Sequence, residues 1–189
     1  MRIDEPLQFS DDDLLSRAGK GDKNAFGMLY ERYLTPIYRY CFFRVSNPLE
    51  AEDLTELTFL KAWESLSPTR RNHREIRSFR AWIYRIAHNL VVDHHRTHKP
   101  VDPIERLGVA ADTKPNPEIT LQNLETGNSL ANAITNLEQT YQQVIVCRFV
   151  NQLSHAETAQ ALGLNENNIR ILQFRALKKL AAMLRKEKS

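Results

Sequence analysis

The fold is decided by a stretch near the end of the chain, Leu153–Leu180, with the sequence LSHAETAQALGLNENNIRILQFRALKKL. Ser154 is positioned to cap a short helix, and Gly163 suits the left-handed residue that ends it. Leu164 is expected to plug the core between two helices, and Asn165 to cap the second one. The spacing therefore predicts two helices joined by a tight turn.

The second helix of this stretch has an apolar face and a basic face. At about 100° per residue, Ile169, Leu172, Ala176 and Leu180 fall on the buried side. The N-terminus and opposite face carry the remaining candidate contacts, Asn167, Asn168, Arg170, Ile171, Phe174, Arg175 and Lys178. A basic outer face suits the major groove of DNA, so a DNA-binding helix-turn-helix is predicted. The alternative is the same layout in a bundle that binds no DNA.

The rest of the chain also favours helices. Ser10 and Asn47 are expected to cap helices, and Pro48 follows Asn47 at the first helical position. No segment alternates as a half-buried strand does, so the fold class is all-α. Helical periodicity stops in residues 99–128, which contain four prolines and are predicted to be a flexible linker. Two small helical domains are therefore expected, at 10–98 and 129–189.

Charge is distributed unevenly along the 189 residues, whose net charge is +3. Residues 65–98 hold 7 Lys/Arg against 2 Asp/Glu, and residues 129–189 hold 8 against 4. Such basic blocks suit the phosphate backbone of nucleic acids, although a solvated helix face gives the same pattern.

Cys41 and Cys147 lie far apart in apolar helical patterns. Buried thiols in a reducing cytoplasm are expected, with a redox role as the alternative. The acidic N-terminus lacks the apolar run of a signal peptide, and no 18-residue apolar stretch predicts a membrane span.

A histidine-rich stretch, His88–His98 (HNLVVDHHRTH), raises the possibility of a metal site. On a helix, His88 and His95 are separated by about 10.5 Å along the axis, too far to share one ion. His94 and His98 form an i,i+4 pair without an evident third ligand. No metal or other cofactor is therefore predicted.

Several segments outside the helix-turn-helix resemble one protein family. The segments AEDLTELTFLKAW (Ala51–Trp63) and SFRAWIYRIAHNLVVDHHR (Ser78–Arg96) resemble region 2 of bacterial sigma factors of the extracytoplasmic-function (ECF) type. The stretch LEQTYQQVIVCRFVNQLSHAETAQALGLNENNIRILQFRALKKL resembles region 4 of the same family. The resemblance implies a region-2-type helical bundle and a region-4-type helix-turn-helix, joined by the linker.

The resemblance also assigns the helix that contains Ala51–Trp63 to the coiled coil of the β′ clamp of core RNA polymerase. The implied contacts are Asp53, Leu54, Glu56, Thr58, Phe59, Lys61 and Trp63. Leu54, Phe59 and Trp63 are also expected to be partly core. Glu56-Leu57 replaces the Gln-acid pair that the family usually has.

The second region-2 segment is implied to contact and melt the −10 promoter element. The implied contacts are Arg70, Arg71, Arg74, Arg77, Arg80, Tyr84, Arg85, His88, Asn89, His95 and Arg96. Asn89 matches the family's polar position in a pocket for a flipped base, and an amide can hydrogen-bond to a Watson–Crick edge. His88 and His95 are expected to gain charge, and phosphate affinity, as the pH falls toward 6.

The helix-turn-helix is implied to bind the −35 element. Ile171-Leu172 replaces a common Ser-Arg pair of the family, and Ile171 is predicted to contact a thymine methyl group. Elements two duplex turns apart are separated by about 68 Å. A linker of about 29 residues can reach roughly 95 Å, so one chain can touch both elements.

A sigma factor, a non-catalytic initiation subunit of RNA polymerase, is therefore the predicted function. Its expected partners are core RNA polymerase, through the β′ clamp and the β flap, promoter DNA and an anti-sigma factor. No small-molecule substrate and no membrane insertion are expected, and the expected location is the cytoplasm. The alternatives are a stand-alone helix-turn-helix regulator and a metal-dependent hydrolase.

Overall fold

The computed structural model describes residues 9–66, 76–97 and 130–187 of the chain. Within these ranges the regular structure is helical and includes no strand, which confirms the all-α prediction. The main helices are α1 (Asp11–Ala18), α2 (Lys23–Val45), α3 (Pro48–Ser65), α4 (Phe79–Thr97), α5 (Gln139–Ile145), α6 (His155–Leu162) and α7 (Glu166–Glu187). None of the described helices is long and apolar enough to cross a membrane.

The N-terminal half, residues 9–97, is a bundle of α1 to α4 whose helix starts follow the sequence signals. The Ser10 side chain accepts from the Asp13 amide, and the Asn47 side chain accepts from the Leu49 amide. Both contacts satisfy donors that a helix N-terminus leaves unpaired. Helix α2 continues through Pro36 without interruption.

The core of this half is built from the periodic apolar positions of the helices. Leu29, Ile37 and Tyr40 from α2 are fully buried, as are Phe79 and Ile83 from α4. Aromatic rings cross the bundle, with Tyr33 packing edge-on against the Phe79 ring. Aromatic contacts of this kind add to the stabilisation that burial provides.

The C-terminal half, residues 130–187, contains the predicted helix-turn-helix in α6 and α7. Ser154 and Glu157 cap each other's backbone at the start of α6, and Gly163 ends it with φ +67°. The Asn165 side chain accepts from the Asn168 amide at 2.8 Å. These caps confirm the predicted turn.

One packing prediction for this turn is wrong. Leu164 is 36% exposed, whereas Leu153, on the other side of α6, is fully buried. Leu153 follows a π-helical turn, Val146–Val150, which continues α5. Its amide donates to the Cys147 carbonyl, so this longer turn directs Leu153 into the core.

The two halves pack against each other and share one continuous buried core. Helix α6 packs on α4, and the π-helical turn contacts α2. Both thiols are fully buried and free, as predicted for Cys41 and Cys147. Burial raises the pKa of Cys147 to about 12.

A backbone conformation at the end of α2 yields a test of stability. Ser46 caps α2 in the left-handed region, with φ 57°, a conformation that favours glycine. We expect Ser46→Gly to raise the free energy of unfolding by about 0.5–1 kcal/mol, because the relief of strain exceeds the added chain entropy.

The matched control is Ser16→Gly, at an exposed position inside α1. This variant should lose about 0.5 kcal/mol, because glycine is unfavourable within a helix. Urea denaturation of both variants measures the difference, and equal effects would contradict the assignment of strain to Ser46.

Candidate nucleic-acid interface

The recognition helix α7 presents the face that the sequence predicts. Ile169 and Ala176 are fully buried and Leu180 nearly so, while Leu172 is half-buried. The predicted contact residues are all exposed, namely Asn167, Asn168, Arg170, Ile171, Phe174, Arg175 and Lys178. The helix therefore offers a basic, solvent-facing surface for a nucleic-acid groove.

Apolar side chains interrupt this basic surface. Phe174 is 71% exposed and Ile171 is 50% exposed. Arg170 is also accessible, and its guanidinium lies 3.3 Å from the Glu166 carboxylate in an i,i+4 pair. An exposed pair of this kind contributes little to stability, so Arg170 can exchange its partner for a phosphate or a base edge.

Helix α4 divides the predicted −10 contacts between two sides. Arg85, Asn89 and Arg96 are exposed and share one side, because they are spaced by four and seven residues. Arg77 is also exposed, just before the helix begins. This side offers cations beside the amide of Asn89.

The other side of α4 carries Arg80, Tyr84 and His88, which the structure places against protein. Tyr84 is 1% exposed and packs edge-on against Tyr40 with 5.6 Å between ring centroids. In this arrangement Tyr84 is not accessible to DNA, which corrects the sequence prediction. Helical periodicity alone could not reveal that a second half of the chain packs beside it.

The histidine charge prediction is wrong for His88. Its Nδ1 lies 3.2 Å from the Tyr40 hydroxyl. Burial, with the cations Arg44 and Arg85 nearby, lowers the pKa of His88 to about 4. His88 is therefore neutral between pH 8 and pH 6 and contributes no charge to phosphate binding in this range.

The other histidines of this stretch do not converge either. His94 Nε2 lies 2.9 Å from a Glu50 carboxylate oxygen, which joins α4 to α3. His95 is half-buried, and His98 lies outside the described residues. In the described part of the chain, no group of three or more histidine, cysteine or acidic side chains is arranged to hold a metal ion.

Helix α3 likewise separates its predicted polymerase contacts by burial. Asp53, Glu56 and Lys61 are exposed, and Trp63 is half-buried. Leu54, Thr58 and Phe59 face the interior, where the Thr58 hydroxyl donates to the Leu54 carbonyl at 2.6 Å. These three side chains hold α3 in the bundle and do not form part of its exposed surface.

Two exposed leucines on α3 were not among the predicted contacts. Leu57 is 43% exposed and Leu60 is 52% exposed, and the two are three residues apart. The sequence could have identified them as candidate contacts, because they form an apolar i,i+3 pair on a helix face that otherwise carries charges. Of the predicted −10 contacts, Arg70, Arg71 and Arg74 lie outside the described residues.

These features define a class of protein, an all-α DNA-binding protein with a helix-turn-helix in its C-terminal half. Family profiles then match both halves: the profile for "Sigma-70 region 2" matches residues 29–101, and that for "Sigma-70, region 4" matches residues 127–180. The chain belongs to the sigma-70 family, and it is similar to curated ECF sigma factors of that family.

Two curated relatives illustrate this membership. The chain is 37% identical to the ECF RNA polymerase sigma factor BldN of Streptomyces coelicolor over 175 residues, which cover 91% of this chain and 65% of that protein. It is 29% identical to the ECF sigma factor SigW of Bacillus subtilis over 181 residues, covering 90% of this chain and 95% of SigW.

A solved structure is also similar across both halves. CnrH in complex with the cytosolic domain of CnrY matches with a TM-score of 0.68 and 25% identity, covering 93% of this chain and 97% of that chain. CnrH is a sigma factor of Cupriavidus metallidurans. The alignment therefore extends over the whole two-part fold.

The lowered pKa of His88 predicts a pH dependence of stability. An unfolded histidine titrates near about 6.5. Between that pH and about 4 the unfolded chain binds a proton that folded His88 does not, so the native state loses stability as the pH falls. We expect His88→Asn to remove about 1 kcal/mol of the stability loss between pH 7.5 and pH 5, after allowance for partial solvent screening.

Urea denaturation at both pH values measures this difference. Equal losses in the wild type and in His88→Asn would contradict a buried neutral histidine at this position.

Proposed function

We propose that this chain binds core RNA polymerase, directs it to promoters and assists DNA melting during transcription initiation. The observation that carries the proposal is the exposed basic face of α7 together with sigma-70 profiles matching both halves of the chain. The chain performs no catalysis of its own in this proposal, and the polymerase carries out the phosphoryl chemistry. The domains are assigned to residues 10–98 and 129–189, with 99–128 as the linker.

The proposed docking surface for the β′ clamp is the outer side of α3. Asp53, Glu56 and Lys61 supply charges, and Leu57 and Leu60 supply exposed apolar area between them. A mixed surface with apolar side chains among charges is typical of a protein interface. The position of Leu57 also gives a role to this chain's departure from the family's usual Gln-acid pair.

The proposed −10 surface is the exposed side of α4 together with Arg77, which precedes the helix. Arg70, Arg71 and Arg74, outside the described residues, are proposed as further phosphate contacts. Asn89 is the proposed base contact, and Arg77, Arg85 and Arg96 neutralise phosphates nearby. Melting requires a surface that holds unstacked bases beside a basic groove for the strand. Arg80 donates to the Asn151 carbonyl and Tyr84 is buried against Tyr40, so neither side chain belongs to the proposed surface.

The proposed partners are core RNA polymerase, promoter DNA and an anti-sigma factor. The anti-sigma factor is supported by the solved relative, whose structure was determined with the cytosolic domain of CnrY. The proposed location is the bacterial cytoplasm at the nucleoid, with an anti-sigma factor able to hold the chain near the membrane.

Copurification with core RNA polymerase, followed by run-off transcription on a library of genomic promoter fragments, tests the proposal. We expect a stable complex and initiation at a subset of fragments. Failure to bind core would exclude the proposal. If the chain alone bound duplex DNA, and core polymerase did not change that affinity, a stand-alone helix-turn-helix regulator would be favoured. Such binding is sterically possible because the face of α7 is accessible in the free chain.

The recognition face has its own test. Arg170→Ala should weaken holoenzyme binding to the −35 region by about 1–3 kcal/mol while leaving core binding intact. Arg39→Ala removes the same charge from an exposed position on α2 and serves as the matched control. Gel-shift titration measures promoter affinity, and an equal loss of core and promoter binding by Arg170→Ala would contradict a specific DNA contact.

Ile171 predicts a preference for thymine. Replacing thymine by uracil in the −35 element removes only the 5-methyl group, which an apolar side chain contacts in the major groove. We expect uracil to weaken binding of the wild-type holoenzyme at one or two positions, and to have no effect on Ile171→Ser. Equal sensitivity of both proteins to uracil would exclude Ile171 as the contact.

A further inference from the structure

The outward face of α7 has an apolar centre. Among the large apolar side chains of this helix, Phe174 and Ile171 are the most exposed. On a helical wheel their directions differ by about 60°, and both point about 140° or more away from the buried Ile169 and Ala176. The Ile171–Phe174 pair therefore lies on the part of α7 that is farthest from the core and would enter a groove first.

Basic side chains flank this apolar pair. Arg170 and Arg175 are exposed, and on the helical wheel they lie on opposite sides of the pair. Lys178 is exposed one turn beyond Phe174. A helix in the major groove turns its centre to the base edges and its flanks to the phosphate backbones, so cations on both flanks fit DNA. This charge distribution favours DNA over an apolar protein surface as the partner of the pair.

The side chains of the Ile171–Phe174 pair contain no hydrogen-bonding atom, so they can recognise only apolar groups on base edges. In the major groove of unmodified DNA that group is the methyl group at C5 of thymine. Cβ atoms three residues apart on a helix are separated by about 5–6 Å. One methyl group can therefore lie within the packing distance of about 3.5–4.0 Å from both side chains at once.

A methyl group at C5 is not unique to thymine. The modified base 5-methylcytosine carries the same group at the same position of the pyrimidine ring. In the major groove the two bases differ only at C4, where thymine has the O4 acceptor and cytosine has the N4 donor. A protein needs a polar side chain to distinguish these two groups, and the Ile171–Phe174 pair provides none.

The amides next to this pair also fit both bases. Asn167 and Asn168 are exposed four and three residues before Ile171, which places them one turn earlier on α7. An amide side chain has both donors and an acceptor, so it can bond to O4 of thymine or to N4 of cytosine. Neither the apolar pair nor these amides would therefore reject a methylated cytosine.

We infer that the Ile171–Phe174 pair recognises a pyrimidine C5 methyl group, and that 5-methylcytosine in the −35 element is accepted as thymine is. The inference rests on the proposed function, because it takes α7 to lie in the −35 element. It deepens that function by naming the chemical group that the pair contacts. Methylation of a cytosine at this position would then increase promoter affinity.

The size of the methyl effect follows from burial. Removing one methyl group from water between two apolar side chains contributes about as much as burying one CH₂ group, which corresponds to a factor of about four in affinity. The same factor is expected for thymine against uracil and for 5-methylcytosine against cytosine, because each comparison adds one methyl group and changes nothing else. These two affinity ratios are called the methyl ratios below.

Matched promoter duplexes measure the methyl ratios. The probe is a genomic promoter fragment that supports run-off transcription, remade with thymine or uracil at each thymine position of either −35 strand in turn. Two further duplexes carry cytosine or 5-methylcytosine at the same position, both with guanine opposite. Gel-shift titration of all four duplexes with the holoenzyme gives both methyl ratios for each protein.

For the wild type, we expect both methyl ratios to be about four at one or two positions of the −35 element, and the same positions to respond in both comparisons. A thymine/uracil effect without a 5-methylcytosine/cytosine effect would overturn the inference, because the face would then require O4 as well as the methyl group. Methyl ratios near one at every position would also overturn it, and the apolar pair would then be a candidate protein contact.

Variants of α7 assign the effect to the pair. Ile171→Ser and Phe174→Ser should each bring both methyl ratios toward one, whereas Ile171→Val keeps an apolar branched side chain and should keep most of both. The matched control is Leu177→Ser, at an exposed apolar position on the edge of the same face, and it should retain the wild-type ratios. An equal loss in Leu177→Ser and Ile171→Ser, or no loss in either variant of the pair, would overturn the assignment.

The proposed function is tested independently of the methyl ratios. Core polymerase binding is assigned to α3, which contains neither residue of the pair. Normal core binding and run-off transcription, with methyl ratios near one in the wild type, would leave the sigma function intact and remove only the inference. Failure of the wild type to bind core polymerase would instead remove the proposed function.

Discussion

The packing of this chain depends on one buried guanidinium, that of Arg44. Its Nη1 is compensated by the side chain of Gln142 and the backbone of Gln139, while its Nε finds no hydrogen-bond acceptor among the described residues. A cation in this setting tolerates the loss of few contacts, because leaving one buried polar group unpaired costs about 1–3 kcal/mol. The relative position of the two halves is therefore fixed by polar contacts as well as by the apolar core around them.

The same boundary gives helix α4 two different sides. One side, with Arg85 and Asn89, meets solvent, while the other, with Arg80 and Tyr84, meets the C-terminal half. Burial keeps His88 neutral, and the cation of Arg44 adds to this effect because a nearby positive charge disfavours the protonated imidazole. The packing of the C-terminal half against the N-terminal half thus determines which α4 side chains are accessible and which of them are charged.

Much of the local structure was predictable from short-range chemistry. Ser10, Asn47, Ser154 and Asn165 cap helices as expected, because a cap depends only on residues within three positions of it. The exposed face of α7 followed from helical periodicity for the same reason. The prediction that Leu164 fills the core was wrong, because the π-helical turn before α6 directs Leu153 into the core instead. A π-helical turn is rare and was not predicted from the sequence.

The sequence by itself determined the helices, their caps, the helix-turn-helix and its basic face, since these follow from spacing and side-chain type along one segment. Only the tertiary structure decided that Arg80, Tyr84 and His88 are withdrawn from the predicted DNA surface. The partners of Arg44 and Arg80 lie about 70 to 100 positions away along the chain. Contacts at that separation depend on how whole helices pack. Helical periodicity predicts which face of a helix is apolar, but it does not predict which other helix packs against that face.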